Sequence, residues 1–92
     1  MMYETVTTLP GPEVLRRAQA FFAERVPHNA AFLEKDGPGF ATFRGQGGEE
    51  LALAVTSVER GTRVRASSLF FDQAIGRFFS TLPALGARRD VA

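Results

Sequence analysis

Apolar residues along this chain keep two different periods, and the changes between them mark out its elements. Val14, Leu15, Ala18, Phe21, Phe22 and Val26 recur at the spacing of one helical face. Pro12 suits the first position of that helix, where a missing N–H costs nothing, and Glu13 suits the positive end of its dipole. Pro27 stops it. A second stripe, Phe71, Ile75, Phe78, Phe79 and Leu82, runs through Leu69–Leu82, with Asp72, Gln73, Gly76, Arg77 and Ser80 opposite and Pro83 as the terminator. A stripe of rings that broad must be buried, and a sheet built by the preceding residues is the surface to bury it on.

Between the helices the period falls to two. Ala30 to Lys35 reads as a strand, Asp36-Gly37-Pro38-Gly39 as a turn and Phe40 to Arg44 as the returning strand. After a Gly-rich loop, Leu51 to Val58 and Thr62 to Ser68 form a second pair around Glu59-Arg60-Gly61. Tyr3 to Leu9, rich in Thr with a Val and a Tyr, suits a first strand, although its weak alternation does not say which face is buried. The expected fold is a two-layer α+β domain, β-α-β-β-β-β-α, with a five-stranded antiparallel sheet and both helices on one face. Residues 1–85 form the single domain and 86–92 a frayed tail.

Register decides which side chains face water. In the last hairpin a three-residue turn with Gly61 left-handed would pair Val55 with Arg65 and mix charge into both faces. A shift of one residue aligns Leu51, Leu53 and Val55 with Val64 and Ala66 and leaves Arg63 and Arg65 together opposite; the hydrophobic pattern should win. In the first hairpin, pairing Lys35 with Phe40 puts Phe32, Ala41 and Phe43 on one face. Leu33, Phe40, Thr42, Lys35 and Arg44 then share the other. The outer face is thus expected to mix large apolar and basic residues.

The order strand, helix, four strands, helix resembles the repeat unit of the TATA-box-binding protein family. Gly61-Thr62-Arg63-Val64-Arg65-Ala66-Ser67-Ser68-Leu69 leading into Phe70–Leu82 is also similar to the last strand and long closing helix of the START-related helix-grip fold, in a shortened form. Both resemblances imply architecture only, and neither carries a functional residue across.

Composition narrows the function classes. Ninety-two residues with 45% hydrophobic content make one ordinary globular domain that buries roughly 60–65% of its unfolded surface. With no cysteine there is no disulfide, thiolate nucleophile or sulfur-based zinc site. No signal peptide or bilayer-spanning run is visible, so the expected location is cytoplasmic, without membrane insertion. A net charge of +1 falls short of a dedicated nucleic-acid binder, although Arg44, Arg63 and Arg65 could share one face. Glu34, Glu49, Glu50 and Glu59 dilute that field.

Candidate chemistry is sparse. Gly45-Gln46-Gly47-Gly48 lacks the Lys and helix of a phosphate loop and reads as a hairpin connection. His28 has no motif-linked nucleophile or second metal ligand. Arg25 lies on the apolar stripe, where its stem can cover the core while its head meets water. Asp72 suits the first turn of the last helix, with Ser67 and Ser68 as alternative caps. Neither a cofactor nor a catalytic constellation is expected. The leading expectation is a non-enzymatic binding domain that pairs with itself or a protein partner through Leu33, Phe40, Arg44, Arg63 and Arg65. The alternative is a carrier or sensor for a small apolar ligand held between the last helix and the sheet, in a cavity lined by Leu53, Val55, Phe71, Ile75, Phe78 and Phe79.

Overall fold

Two helices lie on one face of a five-stranded antiparallel sheet in the computed structural model, which describes residues 2–24 and 31–84. In chain order the elements are β1 (Met2–Thr7), α1 (Gly11–Glu24), β2 (Ala31–Gly37), β3 (Phe40–Gly45), β4 (Glu50–Val58), β5 (Gly61–Ser68) and α2 (Asp72–Ser80). The strands lie in the order β1-β5-β4-β3-β2, so the first strand joins the edge of a four-strand meander beside the last. Arg25, Val26, Pro27, His28 and the tail at 86–92 lie outside the described residues.

One core fills the space between the layers. Val14, Leu15, Ala18 and Phe22 of α1 meet Ala41, Phe43, Leu51, Leu53, Val64 and Ala66 of the sheet, and Phe71, Ala74, Ile75, Phe78 and Leu82 complete it. Its centre is aromatic: the Phe22 ring lies 5.6 Å from Phe43 and 5.4 Å from Phe78, centroid to centroid, which ties sheet, α1 and α2 together. α1 starts at Gly11, one residue before the expected Pro12. There the helix is drawn close onto β4, because a Cβ at Gly11 would come 2.9 Å from Val55 Cγ2.

The β4–β5 register follows the hydrophobic pattern. Val55 faces Val64, Leu53 faces Ala66, and Val58 faces Gly61 across a two-residue turn of Glu59 and Arg60. That turn holds Arg60 at φ 70°, a left-handed conformation that costs a non-glycine residue about 1–2 kcal/mol. The alternative register would turn Val64 and Ala66 to water and Arg63 and Arg65 toward the core. Loss of one buried Val alone costs about 1.5–3 kcal/mol, so strain at Arg60 is the smaller cost.

The β2–β3 register departs from expectation. Lys35 pairs with Thr42, not Phe40, and Phe40 pairs with Gly37 around a tight Pro38-Gly39 turn whose Gly39 carbonyl accepts the Val55 N–H at 2.9 Å. A bulge between Leu33 and Lys35 then absorbs one residue. Phe32 consequently faces Arg44 on the outer side, and Leu33 faces Phe43 on the helix side, the reverse of the pattern-based assignment. At the sheet margin Leu33 still remains 41% exposed.

Both ends of α2 also differ. The helix spans nine residues, so Leu69 and Phe70 precede it and Leu82 lies beyond it, although Phe71 and Leu82 are buried as the periodicity implies. Asp72 sits in the first turn without capping it; Ser68 Oγ instead accepts the N–H of Phe70 at 3.0 Å and of Phe71 at 2.9 Å. Gly45 to Glu49 closes as a hairpin loop, with the Gly45 N–H on the Glu49 carbonyl and Gly48 at φ 91°.

Candidate interaction surface

The face of the sheet opposite the helices carries no second layer among the described residues. Register orders it into rows. Glu50, Arg44 and Phe32 form the row nearest the β5–α2 link, followed by Met2, Ser67, Ala52, Thr42 and Lys35. Glu4, Arg65, Ala54 and Phe40 form the next, and Val6, Arg63 and Thr56 the one after. Side chains in the middle are small, and large ones stand at the margins. The result is a shallow trough.

Its two sides differ chemically. On the β1–β5 side Arg63 Nε lies 2.8 Å and Arg65 Nε 3.7 Å from the same Glu4 carboxylate. On the β2–β3 side Arg44 forms a two-pronged pair with Glu34, at 2.9 and 3.2 Å, and donates to the Gly48 carbonyl. Glu34 thereby raises the pKa of the Arg44 guanidinium further, mainly through the hydrogen bond and then through its charge. All three arginines considered for phosphate binding are thus already engaged by carboxylates, and exposed pairs of this kind contribute at most about 1 kcal/mol each.

Four large apolar side chains stand exposed toward the end where β5 leaves the sheet, Met2 and Phe32 on its opposite edge strands and Leu69 and Phe70 on the link to α2. Met2 is 59% exposed, Phe32 51%, Leu69 92% and Phe70 51%. Leu69 and Phe70 are held outward by the two hydrogen bonds to Ser68 Oγ and by the buried Phe71 ring, which meets Phe70 edge-on at 5.2 Å. Beside Leu69 and Phe70 an open recess of about 430 Å³ is lined by these two residues and by Gly48, Glu49, Glu50, Ala52, Ser67 and Ser68.

Of the residues expected at an interface, the structure brings Phe40, Arg44, Arg63 and Arg65 onto this face and places Leu33 on the other. Met2, Phe32, Leu69 and Phe70 escaped the sequence reading. A signal existed for two of them: the helical stripe begins at Phe71, which leaves Leu69 and Phe70 off it. The residues expected to line a ligand cavity sit together, but Leu53, Phe71, Ile75 and Phe78 are buried in the core, with Val55 and Phe79 packed partly buried against it. A second open recess, of about 270 Å³ between the helices, is lined by Phe78 but by none of the other five.

Tyr3 and Asp72 form a separate polar contact at the β1 margin. Partial burial pushes the Tyr3 phenol above its usual 10.0, and the Asp72 carboxylate adds to this by its charge and by accepting a hydrogen bond. Because the folded-state value is raised, this stabilisation is complete below the unfolded phenol's pKa and is lost as pH rises through the folded one. Tyr3 is the only tyrosine of the chain. The phenolate absorbance should therefore show a single midpoint above 10, and Asp72→Asn should lower it; a midpoint that ignores Asp72→Asn would refute the contact.

Among the described residues there is no group of three or more metal-ligating side chains and no helix long and apolar enough to cross a membrane. Comparisons with protein-family models, with curated proteins and with solved structures find no match to this chain.

Proposed function

We propose that this chain is a non-catalytic binding domain whose open sheet face pairs with a second copy of itself. The observation that carries the reading is the set of solvent-exposed Met2, Phe32, Phe40, Leu69 and Phe70 around a floor of small side chains, on the face that neither α1 nor α2 covers. The likeness in element order to the TATA-box-binding repeat and the helix-grip fold agrees with it at the level of architecture. Ion pairing of Arg44, Arg63 and Arg65 favours an apolar partner surface over a nucleic-acid backbone. The close packing of Leu53, Ile75 and Phe78 favours surface binding over ligand carriage.

Size sets the strength. Strands about 4.8 Å apart and about 3.3 Å per residue give the face a footprint of roughly 500–700 Å². Two such faces bury about 1,000–1,400 Å² in total, at the weak end of specific interfaces. Light scattering across a concentration series should show a reversible dimer. Phe32→Glu and Phe70→Glu should each shift it to monomer while leaving the circular dichroism unchanged. A chain that stays monomeric at millimolar concentration would overturn the reading.

A further inference from the structure

Charge is unevenly paired on the open face. Arg63 and Arg65 share Glu4, and Arg44 holds Glu34. Of the charged residues standing in its rows, Lys35 and Glu50 alone have no ion pair among the described residues, and both are exposed. Arg44 faces Glu50 across the β3–β4 ladder, yet it gives its N–H groups to Glu34 and to the Gly48 carbonyl and meets Glu50 only through charge. Lys35 is the only lysine of the chain.

Glu50 lines the recess beside Leu69 and Phe70, and the chemistry of that recess suits a cation on an apolar stem. Glu49 and Glu50 line it together with Ser67 and Ser68, and no basic side chain does among the described residues. Glu49 Oε1 is turned back to accept the Gly47 N–H at 3.1 Å, which leaves Glu50 as the carboxylate open to a newcomer. The half-exposed Phe70 ring supplies an apolar wall whose face attracts an ammonium. A lysine side chain matches both features: its methylenes cover the ring while its head reaches the carboxylate.

We propose that Lys35 of one copy occupies this recess on a second copy, its ammonium paired with Glu50 and its stem on Phe70, an arrangement that rests on self-association through the open face and gives it a register. Two stacked faces are related by a two-fold axis that lies between them, parallel to both sheets, and such an axis sets opposite each other any two positions it bisects. The pair therefore forms twice. On a strand spacing of about 4.8 Å and a rise of about 3.4 Å per residue, the axis that exchanges Lys35 with Glu50 crosses β3 between Thr42 and Arg44. It crosses β4 between Ala52 and Ala54, where the small side chains let the sheets approach. It also runs beside Phe32, which meets its own counterpart, and sets Phe40 opposite Ser67 at the rim of the recess. Arg65, close to the axis further along, brings Glu4 with it as counter-charge.

Charge reversal in the full chain, read by sedimentation equilibrium at low salt, tests the pair. Lys35→Glu and Glu50→Lys should each weaken the dimer about tenfold or more, because symmetry breaks two pairs at once. The double variant should recover to within about threefold of the unaltered chain. The two single variants mixed in equal amounts should pair with each other more tightly than either pairs with itself, a result that an ion pair within one chain cannot give. Arg77→Glu, exposed on α2, makes the same charge change as Lys35→Glu and should leave the dimer unaltered, and its mixture with Glu50→Lys should fall short of the first mixture. A dimer in which the Lys35 and Glu50 reversals act no more than Arg77→Glu, or which the double variant fails to restore, would overturn the Lys35–Glu50 pair and leave self-association standing. A chain that is monomeric at every concentration would overturn both.

Discussion

Phe78→Ala is expected to remove about 3–5 kcal/mol of stability, the usual cost of deleting a fully enclosed aromatic ring. Phe78 is 1% exposed and its ring meets Phe21 and Phe22 at 5.4 Å each, and Phe79 at 6.4 Å. The chain has few reserves against such a loss, since ninety-two residues at typical stability per residue amount to about 5–14 kcal/mol. The damage should also be uneven. A nine-residue helix containing Gly76 is too short to persist alone, so α2 depends on Phe78 and Ile75 for its docking. Urea unfolding monitored by circular dichroism measures the effect, with Phe70→Ala, half in water, as the control expected within about 0.5 kcal/mol. A cost below 1 kcal/mol for Phe78→Ala would mean that the space between helix and sheet is not closed, which is the condition the ligand-carrier alternative requires.

Ser68→Ala is expected to cost about 2 kcal/mol through a different mechanism. Ser68 is 5% exposed, and its hydroxyl accepts two backbone N–H groups at the point where β5 turns into α2. Removing the acceptor leaves both donors short of a partner, one of them in a buried hydrogen bond, at about 1–3 kcal/mol for an unsatisfied buried group. Ser68→Thr, which keeps the hydroxyl, should recover much of the loss where the added methyl fits. The variant also separates stability from binding. If the hydrogen bonds set the outward pose of Leu69 and Phe70, Ser68→Ala should weaken self-association even at temperatures where the fold is intact. Light scattering at 10 °C beside thermal denaturation would show it, and an unchanged dimer would exclude that coupling.

Much of the architecture was legible in the residues because burial is written as periodicity. The Phe22 and Phe78 stripes located both helices, and the alternation of Leu51, Leu53, Val55 against Val64 and Ala66 gave a register that local turn preference alone would have missed. β2 was misread for a physical reason. It is an edge strand, so Phe32, Leu33 and Lys35 are all exposed and no burial pattern constrains them; the bulge that shifts them leaves no mark in composition. The candidate surface was half legible. Phe40, Arg44, Arg63 and Arg65 followed from alternation. The ion pairs that engage the arginines depend on Glu4 and Glu34 arriving from other strands, a tertiary fact with no local trace. Leu69 and Phe70 were absorbed into the helix because apolar residues are ordinarily assigned to the nearest buried stripe. Here Ser68 satisfies the backbone early and ends that continuity.

The placement of β1 beside β5 has a consequence for how the protein is made. Thr7 pairs with Thr62, so β1 leaves the ribosome before β5, its sheet neighbour among the described residues, has been synthesised. At about 5–20 residues per second that delay is roughly 3–11 s, far longer than the microseconds in which a hairpin closes. The meander can therefore assemble while Met2–Thr7 still waits. Its threonines and its glutamate let that segment stay hydrated during the delay, where a run of Val and Ile would seek out another nascent chain.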